Sequence, residues 1–330
     1  MARNPYYNGP ASDHFDGERF FVPDGAPDKS RRELWGLLRE PRAAWPKTGH
    51  SLACPPPPLR VEGASLRATL IGHSTWLLQT QGLNLLTDPV WSRKAGPFGL
   101  LGPTRSTPPA LAIEELPPLD AILLSHNHYD HMDLPTLSRL ARLRPCPVFT
   151  PLGNDMILKR HERRIDARPL DWGQSAQIAD LRVTLEPALH WSARGLGDRR
   201  KALWGSFMIE GPDGRVYFAG DTGFGDGSFF PALASRHEGP LRFAILPIGA
   251  YEPRWFMREQ HCDPDEAVAI FQALGAERAA ACHWGTFQLT TEPYDEPPRR
   301  LAEALAKAGI APERFVAPPP GGVVEFNPAS

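Results

Sequence analysis

From Leu66 onward the apolar residues fall in short runs separated by Gly, Pro and Asp, a spacing that predicts strands rather than long helices. The runs are 66–80, 83–89, 121–125, 147–150, 181–189, 203–210, 215–221, 243–249, 278–284 and 323–326. Several alternate apolar with polar positions, as strands with one wet face do. AILLS (121–125) and FAILPIG (243–249) are continuously apolar, as strands covered on both faces are. Gly82 and Pro212-Asp213-Gly214 sit where hairpin turns belong. Helical periodicity predicts helices near 133–143, 153–160, 263–274 and 297–308. Asp133 reads as the cap of the first, with Pro135 in its first turn. The third opens Asp263-Pro264-Asp265-Glu266: a capping carboxylate, a proline at the first helical position and acids in the first turn. Many strands and few helices predict an α/β chain of two packed sheets with helices outside.

The first 64 residues differ in texture. They are Pro-rich, and Cys54-Pro55-Pro56-Pro57-Pro58 forces extended backbone. One short helix is predicted over 31–39, with Leu34, Trp35, Leu37 and Leu38 on its apolar side. Phe15, Phe20, Phe21, Trp35 and Trp45 argue that residues 1–64 form an arm packed on a single domain, 65–330, rather than a disordered tail.

Composition narrows the classes. The formal net charge of −2 over 330 residues excludes nucleic-acid binding by bulk charge, and no nucleic-acid partner is expected. No apolar stretch approaches the ~18 residues of a membrane span, and the N-terminus lacks the apolar core of a secretory signal. The four cysteines form no CxxC and are expected to be reduced and buried, in a cytoplasmic protein. Oligomeric state is not legible from the residues.

The segment Ser125-His126-Asn127-His128-Tyr129-Asp130-His131 follows a buried strand and precedes a helix, so it is a strand-to-helix loop, where functional side chains concentrate. In extended backbone His126 and His128 project to one side and can chelate one metal. The turn into the helix then re-aims Asp130 and His131 at a neighbouring position. Further candidates end other strand-like runs: His190, Asp221 and His283. Together they complete two sites, with His126, His128 and His190 on one ion, Asp130, His131 and His283 on the other, and Asp221 between.

This pattern resembles the metallo-β-lactamase superfamily, whose signature is HxHxDH followed by a distant His, Asp and His. The resemblance implies an αββα four-layer sandwich, with 65–330 as the catalytic domain and the metals at one sheet edge. The oxygen-reducing di-iron branch carries Glu where this chain has His128, which favours zinc and hydrolysis. A narrower resemblance rests on LTDPVW, ELPPLDAILLSHNHYDH, HWSARG, LWGSFMIEG, FAGDTG, PIGAYEPRWFMREQHCDPDEAV and HWGTFQLT. These stretches look like the N-acylphosphatidylethanolamine-hydrolysing phospholipase D family and its bacterial relatives, from about Leu66 to Val316. That family implies two Zn2+ per chain, a bridging hydroxide, and cleavage of a phospholipid substrate to N-acylethanolamine and phosphatidic acid. A lactonase or another ester hydrolase acting on a small soluble substrate is the competing expectation, because the same kind of centre attacks carbonyl carbon.

Around the ligands, Asp88 is expected to orient the metal histidines, and His73 either lines the site floor or is a satisfied core histidine. Asp130, Asp221 and His261 are the expected catalytic groups, His261 by contacting a phosphate or by stabilising the metal site. Tyr251, Arg254, Trp255 and Phe256 are candidate walls of a substrate cleft. The apolar loop 96–103, with Phe98 and Leu100 and flanked by Arg93, Lys94 and Arg105, is a candidate for touching a membrane surface or a substrate's acyl chain.

Overall fold

The structure is a computed structural model that describes residues 4–23, 25, 29–37, 39–195 and 197–326. A short helix α1 (Arg31–Leu37) lies in the N-terminal arm; Leu38, predicted on its apolar side, lies outside the described residues. Strands β1 (Leu66–Gly72), β2 (Thr75–Thr80) and β3 (Leu83–Thr87) follow as an antiparallel meander. Then β4 (Ala121–Leu123), α2 (Leu134–Leu143), β5 (Pro147–Pro151), α3 (Asn154–His161) and β6 (Asp166–Leu170) extend the sheet in parallel.

The second half repeats that plan. Strands β7 (Ser175–Ile178), β8 (Leu181–Glu186), β9 (Ser206–Gly211) and β10 (Gly214–Phe218) are antiparallel. After α4 (Phe229–Ala234), strand β11 (Leu241–Pro247) pairs parallel to β10. Helices α5 (Arg254–Met257) and α6 (Pro264–Leu274) lead to β12 (Arg278–Cys282), and α7 (Glu296–Lys307) to β13 (Phe315–Val316), both strands parallel. The last strand, β14 (Val323–Phe326), crosses back to pair with β1. Two seven-stranded sheets result, ordered β14-β1-β2-β3-β4-β5-β6 and β13-β12-β11-β10-β9-β8-β7.

The apolar pattern explains the layering. Trp76, Leu78, Leu85 and Leu123 of the first sheet meet Val183, Leu185, Phe207, Phe218 and Ile245 of the second in one buried cluster. The opposite face of the first sheet, with Leu77, Leu86 and Ile122, is covered by Leu137, Leu140 and Leu158 of α2 and α3. The opposite face of the second, with Tyr217, Ala244 and Leu246, is covered by α4, α6 and α7. This is the αββα sandwich. The arm joins it: Phe15 and Phe20 are buried in the inter-sheet cluster, and Trp45 Nε1 donates to the Glu292 carbonyl at 2.9 Å.

Several sequence expectations are corrected. The run 66–80 is two strands broken at His73-Ser74, and residues 187–190, 219–221 and 283–284 lie beyond their strands in loops. Strands β6 and β7 went unforeseen because DARPL and SAQI are short and polar, as edge strands are. Asp133 stands at the N-cap of α2 but bonds none of its amides; its carboxylate instead accepts from the amides of Trp91 and Ser92. Asp263 does cap α6, in a reciprocal box with Glu266. All four cysteines are free, but only Cys262 and Cys282 are buried; Cys54 and Cys146 sit in the partly exposed connections.

Candidate metal centre

The loops that leave the C-terminal ends of β4, β8, β10 and β12 converge at one edge of the sandwich, carrying His126–His131, His190, Asp221 and His283. Close approach of these loops is built into the backbone. Gly220 has φ +59, and a Cβ there would lie 2.7 Å from Ser125 Cβ, so only glycine brings Asp221 against the 125–131 loop. Three non-glycine residues at the centre, His73, Asp88 and His283, also have positive φ (56, 31 and 61), a conformation that persists only where surroundings enforce it.

Two groups of donors form. In one, His128 Nδ1 lies 2.9 Å from His126 Nε2 and 3.2 Å from His190 Nε2, with Asp221 Oδ2 at 3.8 and 3.7 Å from those two imidazoles. In the other, His131 Nε2 and His283 Nε2 lie 3.5 and 3.2 Å from Asp130 Oδ2, and 3.2 and 3.1 Å from Asp221 Oδ2. Asp221 belongs to both. A tetrahedral zinc with ligands at its usual bond lengths separates them by about 3.3 Å, in the middle of this range.

Tautomers can be worked out from the outer partners. Asp88, fully buried, accepts from the Ser125 amide at 2.7 Å, from Ser125 Oγ at 2.6 Å and from His131 Nδ1 at 2.6 Å. A carboxylate only accepts, so His131 carries its proton on Nδ1 and Ser125 gives its proton to Asp88. Ser125 Oγ is then left to accept from His126 Nδ1 at 2.9 Å. His190 Nδ1 donates to the Gln260 carbonyl at 2.9 Å. The Nε2 atoms of His126 and His190 therefore present lone pairs to the space around Asp221, and His131 Nε2 faces the same carboxylate. His131 Nε2, 3.2 Å from Asp221 Oδ2, makes no well-aligned hydrogen bond there. Buried lone pairs crowded against carboxylates fit a cation and are not explained by hydrogen bonding.

Charge points the same way. Burial alone would raise Asp221 and Asp130, but His131 and its neighbours hold both well below the ordinary carboxylate range. Burial alone would lower His131, yet Asp221, Asp130 and Asp88 pull it well above the ordinary imidazole range. Burial drives His126 and His261 well below it, with His131, His128 and His190 adding to the effect at His126 and Asp221 opposing it at both. Buried carboxylates here need positive charge.

Residues not singled out from the sequence hold the ligand loop. Arg194 Nη1 donates to the carbonyls of Asn127 and Met132, both at 2.8 Å, clasping the two ends of the loop. Its guanidinium stacks 4.1 Å from the Tyr129 ring centre, and Tyr129 Oη returns a hydrogen bond to the Arg194 carbonyl at 2.6 Å. Trp191 packs edge-on against His128 at 4.5 Å. The stretch HWSARG was visible, but nothing local marks its arginine, because the partners are carbonyls more than sixty positions away.

Above the centre opens a cleft of about 560 Å3. His128, Asp130, Asp221, His261 and His283 form its floor, and Leu34, Leu37, Phe256, Met257 and Leu289 its apolar walls. The His261 ring lies 5.0 Å from that of His190 and 5.4 Å from that of His283, and its Nδ1 is buried without a partner. Phe256 lines the cleft as expected, but Tyr251 and Arg254 do not. Tyr251 is fully buried with its hydroxyl on Glu296 at 2.7 Å, and Arg254 is spent on Glu266 at 2.7 Å and the His261 carbonyl at 2.8 Å. Trp255 is half exposed outside the cleft lining, its Nε1 donating to Glu40 at 2.9 Å. Phe98 and Leu100 are 76% and 70% exposed on their loop, away from the floor, while Ala95 just before them lines the cleft. Arg105 is no surface cation: it is buried, bonded to the Val90 carbonyl at 2.6 Å and laid over Phe287.

Residues 83–284 match the beta-lactamase superfamily domain, a span that contains all seven converging ligand candidates. The chain belongs to the metallo-β-lactamase superfamily. Within it, the chain is 38% identical over 275 residues to N-acyl-phosphatidylethanolamine-hydrolyzing phospholipase D 1 of Caenorhabditis elegans, covering 80% of this chain and 77% of that one. It is 36% identical over 309 residues to an uncharacterized protein of Mycobacterium tuberculosis, covering 92% and 80%. Among solved structures, Igni18, a metallo hydrolase from Ignicoccus hospitalis, superposes with a TM-score of 0.58 at 20% identity, over 80% of this chain and 100% of that one, a likeness of fold. The superfamily match includes neither the N-terminal arm nor α7.

Proposed function

We propose that this chain is a dinuclear zinc phosphodiesterase of phospholipase D type, hydrolysing N-acylphosphatidylethanolamine-like lipids to N-acylethanolamine and phosphatidic acid. The observation that carries the reading is the union of two features: a carboxylate–imidazole floor suited to two cations, and apolar walls above it suited to acyl chains. The relationship to the nematode phospholipase D supports the choice of substrate.

His126, His128 and His190 would hold one ion and Asp130, His131 and His283 the other, with Asp221 shared. When bound, the pair supplies Lewis-acid polarisation of a phosphoryl oxygen and of a water molecule. The chain's own groups do the rest. Asp88 and Ser125 fix the imidazole tautomers before substrate arrives. His261, neutral and with an unpartnered Nδ1 in the cleft, is placed to hydrogen-bond a phosphoryl oxygen. Asp130, its Oδ2 within 3.5 Å of ring nitrogens of His73, His131 and His283, is placed as a ligand. Leu34, Leu37, Phe256, Met257 and Leu289 exclude water and take hydrocarbon. The exposed Phe98, Leu100, Trp35 and Trp255 stand on segments that border this cleft, and we assign them to peripheral contact with a lipid surface.

The test is zinc-reloaded protein with vesicles of N-acylphosphatidylethanolamine beside a panel of lactones, with products identified by mass. N-acylethanolamine and phosphatidic acid in equal amounts are expected. Lactone turnover with the phospholipid untouched overturns the reading in favour of a carbonyl-ester hydrolase.

A further inference from the structure

His73 sits in the tight turn between β1 and β2, outside every segment expected to supply ligands. It is 2% exposed, its backbone is left-handed, and that backbone is pinned twice: its amide donates to Thr286 Oγ1 at 3.0 Å and its carbonyl accepts from the His283 amide at 3.1 Å. Phe287 packs edge-on against its ring at 5.3 Å, and the His283 ring lies 4.2 Å away. Its Nε2 lies 3.0 Å from Asp130 Oδ2, and its Nδ1 is buried without a partner.

A polar ring buried in a strained turn has to be held there by something. Its one polar partner is an ionised carboxylate, which can only accept, so the proton resides on Nε2 and that atom donates. One lone pair of Asp130 Oδ2 is taken by His73. The other is left facing His131 and His283, at 3.5 and 3.2 Å. His73 lies within the same cluster of donor atoms as Asp130, His131 and His283, but it differs from most of the ligand candidates in its relation to Asp221. His126, His131, His190 and His283 all come within 3.8 Å of Asp221 Oδ2, whereas among the described residues the His73 ring makes its charged contact with Asp130 alone.

We propose that His73 is a positioning residue for the second half of the metal centre: it donates from Nε2 to Asp130, fixing the carboxylate so that its remaining lone pair faces the ion held by His131 and His283. It is not itself a ligand. The inference rests on the two-metal reading above but not on the choice of lipid substrate. Asp88 does corresponding work for His131 directly and for His126 through Ser125, so it anchors both halves of the centre, whereas His73 serves the second alone.

The test is a Co2+ titration of metal-stripped full-length protein, read by absorption and by equilibrium dialysis. Wild type is expected to bind two equivalents. His73→Asn tolerates the left-handed backbone but is too short to reach Asp130. It is expected to bind the first equivalent normally and the second about 10- to 100-fold more weakly. At saturating Co2+ its spectrum is expected to match wild type, since no ligand has been removed. His73→Gln, which keeps a donor, is expected to retain more second-site affinity than His73→Leu, which has none, and this pair decides the matter if the Asn variant fails to fold. Equal second-site affinities for Gln, Leu and wild type overturn the proposal. So does a changed spectrum at saturation, which would make His73 a ligand. Fewer than two equivalents bound by wild type overturns the two-metal reading, and the proposal with it.

Discussion

The floor of the cleft and the outer segments of its walls obey opposite rules. Just behind the floor, His126, His131 and His190 each spend one ring nitrogen on an outer partner, and Asp88 alone accepts three hydrogen bonds. On the segments that carry Ala95, Leu34 and Leu37 into the cleft walls, Phe98, Leu100, Leu101 and Trp35 are between 61% and 76% exposed, with apolar surface turned to water. Both regions are loops or short elements beside strand ends, so position alone does not separate them. The difference is in what fills the space around each side chain. A floor built from coupled polar atoms tolerates no substitution, because each one orients the next. Exposed hydrocarbon contributes to any contact through its area, so one such side chain can stand in for another.

That contrast makes graded predictions. The largest effect belongs to the shared ligand: Asp221→Ala, and equally His128→Ala, should abolish turnover of any phosphodiester while circular dichroism reports a folded chain. Near-normal rates with unchanged metal content would break the ligand assignment. Next comes the outer shell of the floor. Asp88→Asn leaves the volume but turns an acceptor into a partial donor, so His131 and Ser125 lose their partner; metal affinity or activity should fall about 10- to 100-fold. An Asp88→Asn protein that holds metal as tightly as wild type would remove the floor's claim to rigidity.

On the exposed loop, Phe98→Asp combined with Leu100→Asp should lower activity on phospholipid vesicles several-fold and leave hydrolysis of a small soluble phosphodiester unchanged. Equal losses on both substrates would mean that the loop shapes the floor instead.

A trio outside both the ligand set and the cleft lining supplies the control. His237 has one ring nitrogen 3.0 Å from Glu186 and the other 3.2 Å from Glu210, and these carboxylates raise its pKa above the ordinary 6.5 despite partial burial. The imidazolium therefore stabilises the fold fully below about pH 6.5, and that contribution is lost as pH rises through the raised value. His237→Gln should cost on the order of 1 kcal/mol in chemical denaturation at pH 6 and markedly less at pH 9. The same cost at both pH values would show that the ring acts by packing.

Legibility divided along the same physical line. The ligand loop could be read directly, because three imidazoles and a carboxylate within six residues have no packing explanation, and His190, Asp221 and His283 each follow an apolar run. The two sheets were legible for a similar reason: period-two alternation and continuous apolar runs are local properties of a strand. Tyr251, Arg254 and Arg105 were misread because an aromatic or a basic residue near a site looks the same whether it faces a cleft or is consumed by Glu296, Glu266 or the Val90 carbonyl. Arg194 was missed because backbone carbonyls leave no mark in sequence.

By itself, then, the order of residues determined which side chains can carry the chemistry and that they hang from strand ends, since both follow from residue type and short-range periodicity. Only the tertiary structure decided which nitrogen of each histidine is left as a lone pair, that His73 stands behind Asp130, and that helix α1 of the arm walls the cleft. Those outcomes depend on distances between atoms far apart in the chain, and hydrogen bonds and burial are settled over a few ångströms of space rather than a few positions of sequence.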